Sequence, residues 1–148
     1  MNETIRRFGY PDTLIAEYAH WVVLLRPEQP TLGSLVLAAR SDVTAFSALD
    51  PAAFAELATV TWHVESALER AIGYARINYL MLMMVDPHVH FHVLPRYDGA
   101  RAEAGVSIED KGWPKAPALA EALALTPAQI DDLATWLKSF WPDLAATR

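Results

Sequence analysis

The most informative absence from this chain is cysteine, which does not occur among its 148 residues. Without cysteine there is no disulfide framework, and this composition is consistent with a reducing compartment. Basic residues are also in the minority, with 12 Lys and Arg against 18 Asp and Glu and a formal net charge of −6. A general nucleic-acid-binding protein usually carries a basic surface, so this balance argues against one while leaving room for a nucleotide pocket.

Long apolar runs are absent as well. The most apolar windows are Thr13–Leu25, which contains Glu17 and His20, and Ile77–Val85. Both are shorter than the ~20 apolar residues that span a bilayer, and the N-terminus has no apolar stretch typical of a secretory signal. We therefore expect a soluble, cytoplasmic protein with no membrane partner. The length and the 53% hydrophobic content predict a single globular domain over residues 1–148.

Three of the five histidines, His88, His90 and His92, occur at alternate positions within the segment 86–97. Alternation is typical of a β-strand, in which residues two apart share a face, so the three rings are predicted to line one face. The apolar residues between them are predicted to face a core. Pro95 is expected to end the strand because proline has no N–H to donate.

Two interpretations of this row that involve no covalent chemistry are open. Packing alone is disfavoured, because burying an unpaired imidazole costs on the order of 1–3 kcal/mol. A metal site is suggested by imidazole being a common zinc ligand. However, at roughly 3.3 Å per residue His88 and His92 lie about 13 Å apart, whereas nitrogens bound to zinc lie about 3.5 Å apart. A pair such as His88 and His90 would need other ligands, and no further tight cluster of His, Asp or Glu is evident in the sequence.

The third interpretation is nucleophilic catalysis at phosphorus. A neutral imidazole nitrogen attacks a phosphoryl group and water then hydrolyses the phosphohistidine, so that one difficult step becomes two easier ones. Neighbouring imidazoles donate hydrogen bonds to the phosphate oxygens and a proton to the departing group. His90 has a histidine on each side, and it is therefore the predicted nucleophile.

The segment His88–Leu94 resembles the signature of the histidine triad superfamily of nucleotide hydrolases and transferases, in which three histidines alternate with apolar residues. The Leu-Pro-Arg-Tyr sequence that ends it is similar to the strand exit of the diadenosine-polyphosphate-hydrolase-like branch. The resemblance implies that His90 is the nucleophile, that His92 contacts the phosphate and assists the leaving group, and that His88 orients and polarises the site. It also implies a nucleotide or dinucleoside polyphosphate substrate, no metal or cofactor held by the protein, and a homodimer.

The rest of the chain predicts an α+β fold, with an antiparallel sheet of about five strands, one long helix packed on it and a C-terminal helix. The strands predicted besides the histidine strand are Thr13–Tyr18, His20–Arg26, Ser34–Arg40 and Arg76–Met84. Asp50 has the character of a helix N-cap, Pro51 that of a first helical residue, and Gly73 that of a helix end. His63 falls one step off the apolar stripe of this helix and is expected to be partly exposed.

The family resemblance covers about residues 10–97. Residues 98–125 contain three glycines and two prolines and are interpreted as a long surface loop. A final helix is predicted over residues 126–141, where Thr126 and Gln129 have the spacing of a capping box.

Asn78 is the candidate substrate-binding residue, because the resembled family carries an asparagine near the site on the equivalent strand; the backbone could equally hold its amide. The chain departs from the family in two respects. It has no Gln or Ser just before His88, and no asparagine near Leu25 and Arg26. These departures motivate an alternative function, that of a non-catalytic nucleotide-binding module.

Overall fold

The computed structural model describes all 148 residues of the chain. Its three α-helices are α1 (Glu3–Arg7), α2 (Pro51–Ile72) and α3 (Pro127–Lys138). The strands are β1 (Leu14–Glu17), β2 (Trp21–Leu25), β3 (Glu28–Gln29), β4 (Leu35–Ala39), β5 (Arg76–Leu80), β6 (His90–Arg96), β7 (Ala100–Glu103), β8 (Val106–Glu109) and β9 (Leu123–Ala124). None of the helices is both long enough and apolar enough to cross a membrane.

Five of the strands form one antiparallel sheet in the order β1-β2-β4-β6-β5. The small strands pair separately, β3 with β9 and β7 with β8. The predicted α+β fold, with a five-stranded sheet, a long helix and a C-terminal helix, is confirmed. Strand β6 lies between β4 and β5, so His90 and His92 stand in the interior of the sheet.

The predicted helix ends are formed by local hydrogen bonds. The Asp50 carboxylate accepts from the Ala52 N–H at 2.8 Å, and Gly73 ends α2 in the left-handed conformation with φ 61°. At the start of α3, Thr126 and Gln129 form the reciprocal bonds of a capping box. These contacts satisfy backbone groups that a helix terminus otherwise leaves unpaired.

The two faces of the sheet are covered by different parts of the chain. On one face Trp21, Val23 and Leu25 belong to the main core, which includes apolar residues of α2 and α3. On the other face Val22 and Leu24 pack with the fully buried Ile5 of α1 in a smaller cluster. Because neighbours along a strand point to opposite faces, the continuous apolar run of β2 supplies both clusters.

Helix α1 was not anticipated from the sequence. Asn2 caps it by accepting from the Ile5 N–H, and its amide donates to the carbonyl oxygens of Ala39 and Ser41 at 3.0 and 2.9 Å. These bonds attach the N-terminal segment to the end of strand β4. The segment therefore lies across the face of the sheet that carries His90 and His92.

The histidine strand differs from the prediction at both ends. Strand β6 begins at His90, so His88 lies in the bend before it. At the other end β6 continues through Pro95 to Arg96, and the prediction that Pro95 ends the strand is wrong. The Arg96 carbonyl accepts from the Ala75 N–H on the β5 side, so Pro95 faces the β4 side, where pairing has already ended. Proline is tolerated there because no partner is present for a backbone N–H.

Residues 98–125 are not one long surface loop. Strands β7 and β8 form a hairpin there, and its side chains Val106 and Ile108 are buried in the main core. Asp110 follows the hairpin at 4% exposure and forms an ion pair with Arg96 at 2.7 Å. The glycines that suggested a loop lie largely in turns around these short strands, which are too brief to show a clear periodicity.

Candidate active site

His90 and His92 share the sheet face that α1 covers, since His90 is opposite Ala38 and His92 opposite Val36 in strand β4. Both rings line a cavity of about 210 Å³. Its other walls are Phe8, Arg26, Asp86 and the loop of residues 82–85. The prediction that alternate residues of this segment share a face is therefore confirmed for these two histidines.

The contacts of His90 define its protonation pattern. Its Nδ1 lies 2.7 Å from the backbone carbonyl oxygen of His88. A carbonyl only accepts, so in the neutral ring Nδ1 carries the hydrogen and Nε2 carries the lone pair. Nε2 has no hydrogen-bond partner in the protein, and it is not among the fully buried unpaired atoms. His90 thus presents an unprotonated nitrogen to the cavity.

His92 has the opposite tautomer, because Arg26 is its neighbour. The Arg26 Nε–H donates to Nδ1 of His92 at 3.2 Å, which leaves the hydrogen of the neutral ring on Nε2. Burial lowers the pKa of His92 to about 4, with further lowering from the charges of Arg26 and His90. The ring is therefore neutral at pH 7, and its Nε2–H is a hydrogen-bond donor available to a ligand.

His88 does not line this cavity. Its ring nitrogen Nδ1 shares a hydrogen bond of 2.8 Å with the hydroxyl of Thr4, which is buried in α1. The carbonyl of the same residue orients His90, so His88 contributes to the site through its backbone. His88 precedes strand β6, which begins at His90, and its ring contacts α1, the helix that covers the face of the sheet carrying His90 and His92, without lining the cavity.

Phe8 forms the roof over the two cavity histidines. Its ring centroid lies 5.5 Å from that of His90 and 5.6 Å from that of His92. These distances are in the range of tilted and edge-to-face aromatic contacts. As a result His90 is only 2% exposed, and its ring is accessible only from the cavity beside Phe8.

The loop between β5 and β6 gives the cavity an apolar mouth. Leu82, Met84 and Val85 are 49%, 86% and 74% exposed, which is unusual for side chains of this kind. Met83, between them, has a positive φ of 45°, a conformation that costs a residue with a side chain on the order of 1–3 kcal/mol. Such strain is found mainly where the surrounding structure serves a function.

Asn78 lies on the histidine face, opposite Leu94, but it does not line the cavity. Its Oδ1 accepts from Nη1 of Arg96 at 2.8 Å. Arg96 in turn makes a bidentate contact with Asp110, so Asn78 belongs to a buried polar network that fixes the hairpin β7–β8. Substrate binding by Asn78 stays a prediction that no contact in the structure supports.

The remaining histidines lie outside the site. His63 is fully buried, so the expectation of partial exposure is wrong. Its Nε2 donates to the carbonyl of Ala146, and its Nδ1 accepts from the hydroxyl of Tyr18, both at 2.8 Å. The C-terminal tail thus covers this part of α2. His20 lies at the edge of a separate cavity beside Arg40 and Asp50.

No three His, Asp or Glu side chains come together in an arrangement able to hold a metal ion.

A larger cavity of about 480 Å³ lies against α2, and its wall includes Glu65, Glu69 and Arg148. It contains none of the histidines, and its two carboxylates disfavour a phosphate. The site with chemistry suited to a phosphoryl group is therefore the smaller cavity at His90 and His92.

Sequence reasoning did not identify Thr4, Phe8 or Arg26 as contacts of the three histidines. Nothing local marks Thr4 or Phe8, because their partners lie more than 80 residues away in the chain. The position of Arg26 could have been predicted from strand alternation. It follows strand β2 two positions after Leu24, whose side chain lies on the histidine face, and strand alternation places both on the same side.

The sequence and the fold of this chain are similar to those of known proteins. A family model described as the HIT domain matches residues 9–99, and no curated protein matches the chain. A histidine triad protein from Sinorhizobium meliloti has a TM-score of 0.72 at 22% identity, covering 95% of this chain and 95% of that one. A histidine triad protein from Bradyrhizobium japonicum has a TM-score of 0.71 at 20% identity, covering 95% and 96%. A diadenosine triphosphate hydrolase from Plasmodium falciparum has a TM-score of 0.62 at 10% identity, covering 88% and 76%.

Proposed function

The chain belongs to the HIT domain family, the histidine triad proteins, and from this membership we propose that it is a nucleotide hydrolase or nucleotidyl transferase. The bond cleaved is a phosphoanhydride or phosphoramidate at the α-phosphate. The observation that carries the proposal is the hydrogen bond between His90 Nδ1 and the His88 carbonyl. It holds the ring in the tautomer whose Nε2 lone pair is free for attack at phosphorus.

The reaction proceeds in two steps. In the first, Nε2 of His90 attacks the α-phosphorus, a P–N bond forms, and the bond to the leaving group breaks. His92 donates a hydrogen bond from Nε2 to a phosphate oxygen. A phosphoanhydride leaving group departs as an anion, and the amine leaving group of a phosphoramidate takes its proton from solvent water. In the second, water attacks phosphorus and releases a proton to the solvent, the P–N bond breaks, and a nucleoside monophosphate is released while His90 recovers its lone pair.

The surroundings of the two histidines are consistent with a nucleotide. Arg26 provides a positive charge beside the reacting phosphate, and the exposed Leu82, Met84 and Val85 provide an apolar surface for a base at the cavity mouth. The known hydrolase with the similar fold, which acts on diadenosine triphosphate, supports a dinucleoside polyphosphate as one substrate class to test. No cofactor enters these steps.

Replacement of His90 by alanine tests the proposal. We expect the variant to lower kcat by roughly 10³ or more on the substrate that turns over best, because it removes the nucleophile. The substrates are a panel of dinucleoside polyphosphates and nucleoside phosphoramidates. The control is His20→Ala, since the His20 ring makes no hydrogen bond and lies in another cavity. Circular dichroism is used to check that both variants are folded.

Mass spectrometry of the quenched reaction gives the second readout. A nucleotidyl adduct on His90 in the wild-type protein supports the covalent mechanism. Nucleotide binding without turnover and without an adduct would instead support a non-catalytic binding module. Loss of activity on treatment with a chelator would point to a metal-dependent protein.

A homodimer and a cytoplasmic location stay predictions. Strand β5 is the edge of the five-stranded sheet, and one side of its backbone is not paired with another strand. We propose this edge, with the partly buried Ile77 and Tyr79, as the contact between two copies.

A further inference from the structure

Arg26 is a partly buried cation that no carboxylate neutralises directly. Its Nε donates to His92 at 3.2 Å and its Nη1 donates to the backbone carbonyl of Glu28 at 2.7 Å. None of the ion pairs within 4.0 Å includes Arg26. Burial lowers the pKa of Arg26, and the nearby charge of Glu28 only partly opposes that effect. Its Nη2 has no protein partner and is not among the fully buried unpaired atoms, so it is available to a ligand.

Arg26 stands between two adjacent cavities. The histidine cavity and a second one, of about 250 Å³, share the side chains of Phe8, Arg26 and Asp86. The second cavity is also lined by Arg7 and Glu28. Arg7 is paired with Asp86 at 3.1 Å, so these two charges compensate each other. Glu28 is exposed, and solvent screens its charge.

We propose that Arg26 binds a second anionic group of the substrate, in the cavity next to the one in which His90 attacks phosphorus. This inference rests on the function proposed above. A partly buried guanidinium with a free N–H is suited to phosphate, because the planar group donates charge-assisted hydrogen bonds. The substrate class is then a nucleotide with at least two phosphate groups. The second phosphate is either part of the leaving group or attached to the ribose.

Binding measurements by calorimetry on the wild-type protein test the proposal with three probes that share one base. The probes are AMP, α,β-methylene ADP, whose bridge resists cleavage, and adenosine 3′,5′-bisphosphate. We expect the wild-type protein to bind one of the two doubly phosphorylated probes about tenfold or more tightly than AMP, the gain expected of a charge-assisted contact. A preference for methylene ADP places the second phosphate on the leaving-group side, and a preference for the bisphosphate places it on the ribose side.

The variant Arg26→Gln should abolish that preference, so that the doubly phosphorylated probe loses about tenfold more affinity than AMP does. The matched control is Arg6→Gln, an exposed arginine of α1 that lines neither cavity. Equal weakening of all three probes in Arg26→Gln would overturn the proposal, because Arg26 would then act only through His92. The absence of any preference in the wild-type protein would overturn it as well.

A second measurement needs no variant. The guanidinium N–H resonances of Arg26 are followed by NMR in the wild-type protein during separate titrations with AMP and with the preferred doubly phosphorylated probe. A saturating shift that is larger with the doubly phosphorylated probe than with AMP supports the contact, and equal shifts contradict it. Failure of the proposed function is distinguishable from failure of this inference. If the preference for a second phosphate depends on Arg26 but no substrate is turned over, the subsite is supported and the proposed function is not. If a substrate is turned over but no such preference is found, only the subsite is refuted.

Discussion

Acidification provides a quantitative test of the environment of His92. Burial lowers its pKa from 6.5 to about 4. In the unfolded chain the ring titrates near its ordinary value, so between pH 6.5 and about 4 the unfolded state binds a proton that the folded state does not. Folding stability is therefore complete above pH 6.5 and is lost as the pH falls through this range. This pH dependence of stability is opposite in sign to that of a histidine paired with a carboxylate, whose pKa is raised in the folded state.

The magnitude follows from the same two pKa values. Between pH 7 and pH 5 linkage gives a loss of about 2 kcal/mol in the free energy of unfolding from this one residue, and the full loss below pH 4 is about 3 kcal/mol. The side chain is only 7% exposed, so solvent does little to reduce the effect. A loss of this size is a large part of the stability of an ordinary domain.

The measurement is urea unfolding at pH 7 and pH 5 for the wild-type protein and for His92→Asn, together with NMR titration of the histidine rings. The difference in stability between the two pH values should be about 2 kcal/mol smaller in His92→Asn, and the resonance missing from that variant should titrate near pH 4 in the wild type. A ring that titrates at or above pH 6.5, or an unchanged pH dependence in the variant, would refute the argument from burial.

Two further substitutions test contacts away from the ring of His90, the proposed nucleophile. Thr4→Val removes the hydrogen bond to His88, so we expect it to lower kcat with little effect on KM. It should also lower the free energy of unfolding in urea by about 1 kcal/mol. The control is Glu3→Gln, at an exposed residue of the same helix. Asp110→Ala leaves Arg96 buried without its partner and should lower stability by about 3–5 kcal/mol. Lys111→Ala breaks only an exposed pair and should cost less than about 1 kcal/mol; equal losses in the two variants would contradict the burial argument.

Much of the fold could be predicted because its signals are local. The apolar runs of β2 and β4, the cap at Asp50 and the left-handed Gly73 each depend on neighbours within a few residues. Short strands carry less of this information. The hairpin β7–β8 has four residues in each strand, and its burial against the core is a property of the folded chain.

Residues separated in the chain account for the features that could not be predicted. His63 lies off the apolar stripe of α2, yet it is buried because Tyr18 and the tail at Ala146 provide its hydrogen-bond partners. The sequence offers no means of knowing that such partners will be present, and an unpaired buried imidazole is costly. From the sequence around His63 by itself, an exposed side chain was therefore the reasonable expectation.

For the candidate site, the sequence by itself determined which face carries His90 and His92, because alternation along a strand is a property of the backbone. Only the tertiary structure decided the state of each ring. The carbonyl of His88 selects the tautomer of His90, and Arg26, which is 66 residues away from His92 in the chain, selects the tautomer of His92. Hydrogen-bond partners and burial are set by packing, and these two factors leave a lone pair on Nε2 of His90 and a hydrogen on Nε2 of His92.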